Sequence, residues 1–203
     1  TFLRENEALR DTIGRMREAM ARIAALTDDG DPSGPLLEWR KGFGELMDVE
    51  KHYRRKEHLL FSCLERRGIT GPSKVMWGKD DEVREMLAAL DEALRAEDLS
   101  AGDLKMVAEP ALAAVEEMIY KEEKILLPMA RDALTDDEGG EIFAQSPDYG
   151  WCIVTPREGW TPPEKAGPGK TAEVGRQEAI VFPSGALSFE QLAGIFSPLP
   201  VDL

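Results

Sequence analysis

Apolar residues recur through the first two thirds of the chain at the three-and-four spacing of amphipathic helices. Phe2, Leu9, Ile13, Met16, Met20 and Ile23 mark one such face, and the breaker run TDDGDPSGP at 27–35 closes it, so a first helix is expected from about residue 2 to 26. A second face runs from Leu36 to about Arg67 through Trp39, Phe43, Leu46, Tyr53, Leu60 and Leu64, and stops at Gly68, a residue suited to a helix C-terminus. The glycine-punctuated stretch GITGPSKVMWG at 68–78 reads as a loop that tucks Val75, Met76 and Trp77 against the helices. A third helix then opens on Asp80, Asp81 and Glu82 and continues through Val83, Met86, Leu87, Leu90 and Leu94. The fourth runs from Leu104 to about Ala133 through Val107, Leu112, Val115, Ile119, Leu126 and Leu127, with Pro110 and Pro128 as points of bending. Four long helices with short or medium connections predict an all-α fold, an antiparallel up-down-up-down four-helix bundle.

After Ala133 the pattern changes. Thr135 followed by Glu138 is a capping-box signal for one short helix. DYGWCIVTP at 148–156 and QEAIVFPSG at 177–185 read as strand-like runs, separated by a Pro- and Gly-rich linker from Pro156 to Gly169. Ser188 with Gln191 signals a last short helix before the chain ends on SPLPVDL. Residues 1–134 are therefore expected to form the bundle, and 135–203 an extension of short helices and strand-like segments that packs on it or bridges to something downstream.

Charged residues interrupt the apolar faces at recurring places. HYRRKEHLLFSCL, from His52, superposes on MIYKEEKILLPMA, from Met118, at an offset of 66 residues. The offset pairs Glu57 with Glu123 and Glu50 with Glu116. On a wheel of about 100° per residue, Glu57 lies beneath Leu46, Tyr53 and Leu64, with His52 and Lys56 at the edge of that face and His58 on the surface. Glu116 and Glu123 share the face of Leu112, Ile119 and Leu126, with Glu122 at its edge. A carboxylate on an apolar face needs a partner, and either a metal ion or an Arg or Lys side chain can be one. Asp80 admits two readings, capping of the third helix and ligation, of which capping is favoured. Glu5 and Asn6 also fall near an apolar face, where the start of a helix is the favoured explanation.

Composition narrows the partners. The net charge of -14 argues against nucleic acid and against an anionic membrane surface. No apolar run approaches the roughly 18 residues of a membrane span and no signal segment is visible, so a cytoplasmic protein is expected. Cys63 and Cys152 are expected as reduced core residues. With two histidines and no Ser/His/Asp, Cys/His or phosphate-loop constellation, a non-catalytic role is expected. The chain opens on Thr1 without an initiator Met, as a fragment of a longer protein would.

The words TFLREN, HYRRKEHLLF, GITGPSKVMWGKDDEVR, EMIYKEEKILLPM and SGALSFEQLAGIFSPLPVDL resemble the hemerythrin-like HHE cation-binding family, and within it the subgroup in which the bundle precedes a PAS sensor domain. The resemblance implies a left-handed antiparallel four-helix bundle around a non-heme iron pair, held by histidines and bridging carboxylates. It implies a PAS domain as downstream partner; a second copy of the chain is a further candidate partner. His52 matches the second-helix histidine of the family pattern and Glu122 its fourth-helix carboxylate. Lys56 stands where a carboxylate is usual, and Asp80 and Met118 stand where histidines are usual. The candidate metal ligands are thus His52, Glu57, Asp80, Glu122 and Glu123. The expected role is a sensory or regulatory module that binds iron. The alternatives are a metal-free structural or interaction bundle, with Lys56 and Glu122 paired in the space of a metal, and a di-iron oxidase or peroxidase.

Overall fold

The computed structural model describes residues 1–26, 30–95, 100–156, 159, 179–182 and 185–188, the last two segments as backbone. Most of them are helical. Helix α1 (Phe2–Ala24) lies along α2 (Ser33–Leu46), whose line continues through α3 (Val49–Arg55), a π-helical turn (Lys56–Phe61) and α4 (Ser62–Arg66). Helix α5 (Gly71–Ala93) comes next, then α6 (Ala101–Lys121), a second π-helical turn (Glu122–Leu126) and α7 (Leu127–Ala133). Helix α1 touches α2, α3 and α6, and α5 touches α6 and the first π-turn. The four long rods therefore close a ring of contacts around one core.

That core is what the periodicity demands. Leu9, Ile13 and Met16 of α1, Trp39 and Leu46 of α2, Met76 and Leu90 of α5, and Leu112 and Val115 of α6 have almost no exposed surface. Trp39 stacks on Phe43 with ring centroids 5.7 Å apart. Helices α1 and α2 approach closely because Gly42 has no side chain; a Cβ there would sit 2.5 Å from Met16 Cγ. Among the described residues, no helix is long and apolar enough to cross a membrane.

Gly68 ends the second rod as its position suggests, with φ +79° and its N–H donating to Glu65 O at 2.8 Å. The expected loop at 68–78 is not one. Helix α5 begins at Gly71, with Pro72 in its first turn, where the missing N–H has no intrahelical partner to lose. Glycines that resemble punctuation are helical, and Asp80 consequently lies inside the helix rather than at its cap.

The Thr135 capping box is present, and the short helix expected after it is α8 (Asp136–Tyr149), of 14 residues. It packs on α3 and the first π-turn, and Arg67 holds Glu138 through Nε at 3.0 and 3.1 Å. The stretch 148–156 also differs from the strand-like run expected there. Asp148 and Tyr149 belong to α8, and 151–156 form no strand. The chain instead turns tightly there, Val154 N donating to Cys152 O at 2.5 Å around Ile153 with φ +58°. Further on, Ala179–Phe182 pairs antiparallel with Gly185–Ser188, Ala179 facing Ser188 and Phe182 facing Gly185. Most of the linker expected at 156–169 and the helix expected after Ser188 lie outside the described residues.

One substitution type should act with opposite signs at two glycines. Gly68→Ala forces a side chain into a left-handed conformation and is expected to cost about 1–2 kcal/mol. Gly78→Ala fills open space on an exposed helical position and should gain roughly 0.5–1 kcal/mol. Urea midpoints of the two variants against the parent chain check both.

Candidate functional site

The two π-turns begin at Lys56 and Glu122, which are 66 residues apart and thus equivalent in the internal repeat. Each wider turn inserts a residue into the helical register and rotates the residues beyond it by about 100°. Lys56 and Glu122, the first residue of each turn, stand four residues after the buried His52 and Met118 and share their inward direction. They meet at the bundle centre: Lys56 Nζ donates to Glu122 Oε1 at 2.6 Å and to Asp80 Oδ1 at 2.7 Å, and lies 4.1 Å from the centroid of the Tyr53 ring. Both nitrogens of His52 are engaged, Nε2 with Glu122 Oε2 at 2.8 Å and Nδ1 with Glu5 Oε2 at 2.9 Å. Arg55 donates to the same Glu5 oxygen, and its guanidinium carbon lies 5.2 Å from the Phe2 ring centroid and 4.8 Å from that of Trp151. The remaining Glu5 oxygen accepts the backbone N–H of Cys152 at 3.0 Å. Glu5, His52, Arg55, Lys56, Asp80 and Glu122 are all buried, and fully ionised they would carry three negative and three positive charges.

Burial and charge compete at each of these groups. For Glu122 burial pushes the pKa up, but the charges of Lys56 and His52 and their hydrogen bonds outweigh it and hold the carboxyl well below the usual carboxylate range. Burial would likewise lower His52 and Lys56, yet the neighbouring carboxylates leave both raised. Glu5 is lowered, its burial overcome by His52 and Arg55. Asp80 is the exception. Burial dominates over the attraction of Lys56, Glu122 and Glu57 add repulsion, and its pKa is pushed up to about 7. Lys56 is shared between two carboxylates, so Asp80 is the less completely compensated of them. Asp80 Oδ2 finds no hydrogen-bond partner among the described residues, and neither do Tyr53 Oη, Arg55 Nη1 or the Asn6 side-chain amide.

Of the five ligands suggested by the sequence, the structure brings His52, Asp80 and Glu122 together and places Glu57 and Glu123 elsewhere. Glu57 is clasped by Arg84 at 2.9 and 3.0 Å, and Glu123 is paired with Arg10 at 2.5 Å. The other repeated acids behave alike, Glu50 with Arg84 at 2.7 Å and Glu116 with Arg17 at 2.8 Å. Four carboxylates that suggest half of a metal site are thus satisfied by arginines. Glu5 does lie in the first turn of α1, as its position suggests, but it is also a hub of the centre, and Asn6 beside it is equally buried. The signal for both is two polar residues on an apolar stripe. His58 is exposed as expected, between Tyr149 and Trp77. Cys63 and Cys152 are free and buried.

The model of the hemerythrin HHE cation-binding domain matches residues 1–130. The chain belongs to that family. No curated protein matches it. Hemerythrin domains bind metal, typically iron, and the donor set of this hemerythrin-like bundle can be tested against such a guest. An iron pair calls for several imidazoles and carboxylates with an open position. Here the one imidazole has both nitrogens held by carboxylates, an ammonium lies against Asp80 and Glu122, and Met118 is a core residue. Among the described residues, no three His, Cys, Asp or Glu side chains are grouped as a metal ion would require. The centre does not fit a transition-metal pair.

Stability should depend on pH with a definite sign. The raised Asp80 keeps a proton in the folded state that the unfolded chain has released above its ordinary 3.8, so stability falls as pH rises from about 4 to about 7. His52, raised from 6.5, contributes stability that is lost as pH climbs through its folded value. Glu5 and Glu122, both lowered, contribute in the opposite direction, and their share is lost on acidification below the ordinary carboxylate range. The melting temperature at constant ionic strength is therefore expected to peak in mildly acid solution and decline toward alkaline pH. Asp80→Asn should flatten the slope between about pH 4 and 7; an unchanged slope in that variant would contradict the assignment.

Proposed function

We propose that the chain is a non-catalytic, cytoplasmic sensory or regulatory module, in which the state of the buried centre governs the docking of the arm beyond the bundle, and through it a downstream domain of PAS type. The observation that carries this reading is an unbroken line of buried polar contacts. It runs from Asp80 through Lys56, Glu122, His52 and Glu5 to the N–H of Cys152, in the arm beyond α8. Trp151 beside it packs over Arg55, which itself holds Glu5. A change of charge anywhere along the line alters what Glu5 offers to the arm. The reading takes the four rods in up-down-up-down order, as their connections suggest. A role other than catalysis is supported by the burial of the centre and by the engagement of its imidazole at both nitrogens. The free, buried cysteines are in keeping with a reducing compartment.

Glu122→Gln tests the coupling from the far side of His52. It leaves the contact between Glu5 and the arm untouched but removes the charge that Lys56 and His52 share. Amide exchange at 151–154 is expected to quicken by about tenfold or more, a loss of roughly 1.4 kcal/mol of local protection, while α8 keeps its rates. Glu109→Gln, which weakens a partly exposed pair with Arg17, serves as control and should leave the arm unchanged. Equal exchange at the arm in parent and Glu122→Gln would end the proposal.

A further inference from the structure

The family is a cation-binding one, and at the centre of this bundle a cation is already in place as part of the chain. Lys56 is fully buried, its ammonium 2.6 Å from a Glu122 oxygen, 2.7 Å from an Asp80 oxygen and 4.1 Å from the Tyr53 ring centroid. Two carboxylates and a ring face are what a desolvated cation requires. A divalent ion would need those same oxygens at about 2.0–2.2 Å, and could not take them while an ammonium is hydrogen-bonded to them. It would also bring a double positive charge to within a few ångströms of Lys56.

We infer that the Lys56 ammonium is the resident cation of the centre, so that the bundle is metal-independent, and that deleting this one side chain turns the same cage into a site for an exogenous cation. The vacated space would be faced by the Asp80 and Glu122 oxygens that Lys56 now holds and by the Tyr53 ring, and Asp80 Oδ2 already lacks a partner among the described residues. An all-oxygen set of this kind selects a hard cation, manganese(II) rather than copper or zinc. A small alkylammonium ion would be the nearest replacement for the lost side chain. The inference does not rest on the role of the arm, since a metal-free centre can be coupled to it or not.

The experiment compares the parent chain, Lys56→Ala and Lys56→Arg by thermal melting in EDTA, in millimolar manganese(II) chloride and in ethylammonium chloride, with metal content measured after desalting. The parent and Lys56→Arg are expected to melt at the same temperature in all three and to retain no stoichiometric manganese or iron. Lys56→Ala is expected to melt lower in EDTA, to recover by on the order of 5 °C or more with manganese, to keep roughly one equivalent of it, and to recover in part with ethylammonium. Should Lys56→Ala not fold in EDTA, refolding from urea with and without manganese makes the same comparison, and recovery only with manganese supports the inference. A parent chain that retains a metal, or is stabilised by manganese(II) or iron(II), overturns the first half. A Lys56→Ala variant indifferent to both manganese and ethylammonium, or unable to refold with either, overturns the second.

Discussion

A buried lysine ammonium held between two carboxylates is the constraint on which the other parts of this molecule depend. Each ion at the centre is stable only because the next one is present. Breaking a buried pair by removing one partner costs about 3–5 kcal/mol, a large part of what a domain this size has in hand. The surrounding structure is accordingly arranged to keep Lys56 where it is. The register of α3 points it inward with His52, Tyr53 supplies a ring face, and Glu122 is fixed from its other side by His52. Burial within the hydrophobic core keeps these charges from bulk solvent, which would otherwise screen them.

Much of this is legible in the chain. The helices can be read because apolar residues repeat faithfully over several turns, and the capping box at Thr135 because it combines two specific side chains at a fixed spacing. The pattern starts the third helix too late because Gly71, Pro72 and Gly78 look like loop residues, whereas tertiary packing of Met76 overrides their weak local preference. The late start conceals Asp80, whose meaning changes once it lies inside the helix. The repeat correctly marks two equivalent segments but points to the wrong carboxylates. A uniform wheel cannot register an inserted residue, so it turns Glu57 and Glu123 to the centre in place of Lys56 and Glu122. Glu5 is the hardest to place, since its partners lie 47 and 50 residues away on another rod and 147 away in the arm.

The family relationship and the donor chemistry of this chain point in different directions. At the centre of this bundle His52 and Glu122 are hydrogen-bonded to each other, and the Lys56 ammonium lies between the Glu122 and Asp80 carboxylates. The acids that flank the centre are similarly closed off by Arg10, Arg17 and Arg84, pairs that are worth little where they are exposed but leave no free carboxylate facing the core from those positions.

Ile153 gives the arm a different character from the centre. A β-branched residue at φ +58° sits in a region that costs an L-amino acid about 1–2 kcal/mol, and the docked turn around it must hold that strain for as long as Cys152 is bonded to Glu5. The turn is therefore held with less net stability than its contacts alone imply, and a glycine at the same position would adopt this φ at little steric cost.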